Sequence, residues 1–146
     1  MKIKNFIPLA LSAGVLGISF MGTLAWSQPK PGPKINFIME EMTALDEAFR
    51  TIIDAVVLGD MQMVEPALTG VYEARERVEK ALKAGQTTTL PKNQSQFRKF
   101  VELDDQFHDD LEKLAKAAKT GQKKVVKNYT HKLLDSCVVC HEKFRK

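Results

Sequence analysis

The chain has little cysteine, little excess of either charge and no alternating pattern. Two cysteines, one tryptophan and two tyrosines in 146 residues exclude a disulfide-stapled scaffold, so the fold must rest on its own apolar core. The 44% of apolar residues suffices for one small domain. Lys2 and Lys4 stand in a segment expected to be removed. Without them the 22 bases become 20 against 18 acids, which gives no case for nucleic-acid binding. No run of alternating β-branched residues is long enough for a strand. A serine elbow, a phosphate-binding glycine loop and an isolated carboxylate pair are all missing, so hydrolytic chemistry finds no support. Glu40/Glu41, Asp104/Asp105 and Asp109/Asp110 read as solvated helix faces.

Residues 1–27 read as a secretory signal peptide. Lys2 and Lys4 give a positive start, residues 6–24 are apolar, and Ala25-Trp26-Ser27 offers small residues two apart for cleavage near Ser27. An uncleaved anchor is the alternative, since the apolar run is nearly long enough to span. Export with this pattern points to a bacterial periplasm. Residues 28–34, "QPKPGPK", form a Pro-rich leader expected to be extended.

Residues 35–146 read as helix throughout. In the first helix, residues 35–58, apolar side chains recur at Ile35, Ile38, Met42, Leu45, Phe49, Ile52 and Val56, in steps of three and four that suit a bundle seam. Gly59 stops it. A second helix runs to about residue 84, with Val64, Leu68, Val71, Val78 and Leu82 inward, Pro66 either opening it or kinking an early turn, and Gly85 ending it. The third, residues 95–119, carries Phe97, Phe100, Phe107, Leu111, Leu114 and Ala118. Asp104 fills a slot in that stripe; the expectation is a roll of the helix that lets Val101 and Leu103 cover the site, the alternative a polar neighbour. The fourth runs from about residue 122, with Val126, Tyr129, Leu133, Cys137, Cys140 and Phe144 inward. Four helices with short connections within each pair predict an all-α, antiparallel four-helix bundle.

Both cysteines fall in the closing stretch "SCVVCHEKFRK". Cys137-Val138-Val139-Cys140-His141 fits the C-x-x-C-H pattern of covalent c-type haem attachment. Residues three apart on a helix share a face, so both sulfurs can reach one edge of a porphyrin while His141, four residues after Cys137, offers a ring nitrogen to the iron. A disulfide and a zinc site are the rivals. Redox C-x-x-C motifs open helices that follow strands, which this one does not, and zinc would need a fourth ligand such as His108 or His131.

With that motif in the last of four helices, and with "CHEKFRK" closing the chain, the sequence resembles a class II c-type cytochrome, the cytochrome c prime family and its low-spin branch. The resemblance implies one covalent haem c, single-electron transfer without enzymatic turnover, redox partner proteins, no membrane span in the mature chain and, often, a homodimer through the first two helices. It also implies that the first helix crosses the distal face of the haem. Met42 and Met39 are the candidates there. Met42 shares the register of Ile35, Phe49 and Val56 and points inward, while Met39 is in register with Asp46 on the flank. "EEMTALDEAF" resembles the region that supplies the family's low-spin methionine ligand, which aligns Met42 with that ligand. An open distal face that binds nitric oxide or carbon monoxide is the alternative function. His108 and His131 are placed on solvated or flanking faces. The basic residues of the last helix read as dipole compensation and solubility, or as a docking surface for an acidic partner. Arg145, four residues after His141, lies on the haem side, toward a propionate or the proximal pocket.

Overall fold

Apolar residues three and four apart, broken by glycines, generate the four helices of the computed structural model, which describes residues 36–86 and 88–145. The expected signal segment 1–27, the leader 28–34 and Ile35 lie outside the described residues. Helix α1 spans Phe37–Leu58; the Asn36 side chain accepts from the Met39 N–H at 3.4 Å and so satisfies one of its orphan donors. Gly59 ends it in the left-handed conformation at φ 71°, where a side chain would be strained. A single 3-10 turn, Met61–Met63, leads into α2, Val64–Lys83. Pro66 sits in the first turn of α2, where its missing N–H would have had no intrahelical partner, and the helix continues unbroken through it. Helix α3 is Phe97–Lys119 and α4 is Lys123–Phe144.

No strand occurs among the described residues, and the helices form a four-helix bundle. Helix α1 packs on α2 and α3 on α4, with thinner seams between α1 and α4 and between α2 and α3. The first and third helices therefore lie across a diagonal. None of the described helices is long and apolar enough to cross a membrane.

The core has two parts. The larger gathers Ile52, Leu68, Leu111, Leu114, Val126 and Leu133, each essentially sealed from solvent and each contributing about 1.5–3 kcal/mol by burial. The smaller joins Ile38, Phe100, Phe144 and Leu90, the last from the α2–α3 loop. There Phe100 meets Phe144 edge-on, with centroids 5.5 Å apart. The expected α1 seam is rotated slightly. The buried line runs through Ile38, Glu41, Ala48, Ile52 and Ala55, while Met42, Leu45, Phe49 and Val56 are half-buried beside it. In α2, Ala81 is buried and Leu82 only half so.

Candidate functional site

The half-buried side of α1 faces two adjoining cavities. One, of about 220 Å³, is walled by Leu45, Phe49 and Ile52 of α1, Leu103 and Phe107 of α3, and Cys137 of α4. The other, of about 440 Å³, lies toward the smaller core and is bounded by Ile38, Leu90, Phe100 and Phe144. Met42, Asp46, Cys140 and His141 line both. The two spaces thus meet where α1 passes α4, and their walls are mostly apolar, as a flat hydrophobic ligand requires.

Each sequence-predicted site residue can be placed. Cys137 and Cys140 are half-buried on the cavity side of α4. Burial pushes the Cys140 thiol up to about 11, with Asp104 adding to the shift, and raises Cys137 as well. Thiols held protonated in this way lack the lowered pKa of a redox C-x-x-C pair. His141 moves the other way: burial, and then the Arg145 cation, depress its pKa, which keeps the imidazole neutral and its lone pair free for a metal. Arg145 is exposed just past the end of α4 and lines the second cavity beside His141. Met42 reaches both cavities, whereas Met39 is 53% exposed and lines only the second. His131 is exposed.

Several polar expectations are overturned. His108 is not on a solvated or flanking face: it is 5% exposed and its Nε2 donates to Glu41 Oε1 at 2.9 Å. Glu41, expected in solvent, is 1% exposed. Asp104 is not covered by a roll of α3. It faces polar partners, with Arg75 Nη1 at 3.4 Å and His108 Nε2 at 3.9 Å, and it also lines the first cavity. Burial, and then the Glu41 carboxylate, push its pKa up to about 6. Arg75 forks to Asp105 at 2.8 Å. Burial pulls its pKa down, but Asp104 and Asp105 outweigh that and hold it above its ordinary value. Asp110 is buried too, between Lys132 Nζ at 2.7 Å and Lys113 Nζ at 3.2 Å. The physical reason is common to all of them: a carboxylate can leave water when a cation or donor meets it inside.

Among the described residues, one group of three metal-type ligands converges, Glu41, Asp104 and His108, with ligand atoms within 4.8 Å. Arg75 already supplies a positive charge to that cluster. The two cysteines do not belong to it, and among the described residues no such group of three forms around Cys137, Cys140 and His141. The signal for this cluster was present in the sequence as Asp104 and His108, four apart and so on one face of α3, but nothing there pointed to Glu41 or Arg75.

Residues 75–145 match the family model described as Cytochrome C'. No curated protein and no solved structure matches the chain. A four-helix bundle with this match supports a c-type haem cytochrome. The matched stretch runs from within α2 to the end of α4, just under half of the chain; the match is consistent with a class II c-type cytochrome, and that family implies a covalently bound c-type haem. The residues fit such a group: apolar cavity walls, two protonated thiols on one helix face and a neutral imidazole beside them. The matched stretch includes Cys137, Cys140 and His141 and stops short of α1, so Met42 lies outside it.

Proposed function

We propose that the protein is an exported, periplasmic monohaem cytochrome that carries single electrons and has no enzymatic turnover. Cys137 and Cys140 would anchor the haem as thioethers, His141 would ligate the iron from the proximal side and Met42 from the distal side. The haem iron supplies the one-electron change. The chain's own part would be to exclude water with Leu45, Phe49 and Phe107, to hold His141 neutral, and to offer Arg145, which lines the second cavity, to a propionate. The observation that carries the reading is that Met42 of α1 and His141 of α4 line the same two cavities from different helices. Two protein ligands on opposite sides leave little to rearrange when the iron changes charge, which favours electron transfer. Its partners would be other redox proteins that approach the exposed face of α4.

Optical spectra of the purified ferrous protein, with and without carbon monoxide, test this. The expected result is a low-spin spectrum that carbon monoxide perturbs slowly, and that Met42→Ala converts to a high-spin, fast-binding one. A wild-type protein that starts high-spin and binds carbon monoxide at once would instead be a five-coordinate gas binder.

A further inference from the structure

We propose that Glu41 and His108 are positioning residues that hold Met42 toward the iron. The inference rests on the reading of Met42 as a distal ligand. Between Ile38 and Ala48, Glu41 is the only buried residue of α1. Ile38 is packed in the smaller core and Ala48 in the larger, and across the intervening turns Met42 and Leu45 are only half-buried, Met42 against the smaller core and Leu45 against the larger, each also lining the cavity. Apolar packing therefore seals α1 at either end of the site and holds it only partly across the site itself. The His108 Nε2 to Glu41 Oε1 bond, 2.9 Å, lies in that interval. It runs from α3 to α1 across the bundle diagonal, and among the described residues it is the only side-chain hydrogen bond that joins those two helices.

Neighbouring residues on a helix are about 100° apart around its axis. Pinning Glu41 toward α3 thus fixes where Met42 points. Asp104 and Arg75 back the bond: Asp104 Oδ1 is 3.9 Å from the same His108 nitrogen, and Arg75 holds Asp104 from α2. Without the His108 donor, Glu41 is a buried carboxylate without its partner, and α1 must turn or lift to hydrate it. Either motion takes Met42 with it.

The test uses the haem-loaded protein, with carbon monoxide as the probe of the open distal face. Binding needs the fraction of molecules in which the methionine is off, so the observed rate scales with that fraction. Glu41→Ala and His108→Ala are expected to raise the high-spin fraction and to speed carbon monoxide binding about tenfold or more. Glu41→Gln, which can still accept from His108, should restore wild-type behaviour. Glu41→Ala removes the buried charge itself, so it carries the test if His108→Ala fails to fold. Leu68→Ala, at a sealed position of α2 that lines neither cavity, controls for lost stability and should leave the rate unchanged. A Leu68→Ala rate raised as much as that of Glu41→Ala would reduce the pair to general support and overturn the proposal. If Met42→Ala changes the spectrum and Glu41→Ala does not, this inference alone fails. If Met42→Ala leaves the spectrum unchanged, the ligand reading fails and takes the inference with it.

Discussion

Asn93 donates from its side-chain amide to the Lys143 carbonyl at 2.6 Å, tying the α2–α3 loop to the last turn of the helix that carries both cysteines. That carbonyl would otherwise be one of the four orphan acceptors at the end of α4. Asn93 is also the one described non-glycine residue with a positive φ, 56°, a conformation asparagine tolerates better than most side chains. Asn93→Ala should therefore lose both the bond and the backbone preference and cost about 1–2 kcal/mol. Asn93→Gly should lose only the bond and cost less. Thermal unfolding separates the two.

Cys137→Ser and Cys140→Ser should each leave one covalent link, so that haem stays with the chain in denaturing electrophoresis. The double variant should release it. Haem that survives denaturation in the double variant would show that attachment lies elsewhere.

Burial raises the Asp104 pKa to about 6, well above its unfolded value, so the native state holds a proton that the unfolded chain gives up. Stability accordingly falls as pH rises from about 4 to about 6 and levels off above that, by at most about 3 kcal/mol. Haem in the cavity would bury Asp104 further and preserve the direction. Unfolding midpoints of the wild type should drop across that window, while Asp104→Asn should flatten the slope.

Leu68→Ala removes a fully buried side chain from the α2 face of the larger core. The expected loss is about 2–5 kcal/mol, measured by denaturant midpoint, with the haem spectrum intact.

The helices were legible because three-and-four spacing and left-handed glycines are local signals. Gly59, Gly85 and Gly121 all take positive φ at the breaks, and the observed bounds fall within about two residues of those read from periodicity. That two cysteines and an imidazole share one site was legible for a similar reason, since one five-residue motif contains them, and Cys137, Cys140 and His141 all line the cavity. The buried polar cluster was not. Glu41, Asp104 and His108 are close in space but 67 residues separate the two that bond, and a charged residue in a helical sequence reads as solvent-facing by default. The α1 seam was off for a related reason. A residue that lines a cavity, such as Met42 or Phe49, has the composition of core without its burial, so periodicity alone cannot separate the two.

The diagonal arrangement of α1 and α3, with α4 closing the site, has a consequence for how the chain holds together. Each helical hairpin is local in sequence and can form early, but the seam between α1 and α4 joins the first helix to the last. Under the proposed ligation, with Met42 on the iron and Cys137 and Cys140 on the haem, the metal would be a clasp that closes a loop of about a hundred residues. A covalent cross-link of that span removes about 4–5 kcal/mol of unfolded-state entropy. Such a clasp would open and close with the iron–sulfur bond, so whatever weakened that bond should loosen the whole bundle, and unfolding midpoints should differ between the two oxidation states.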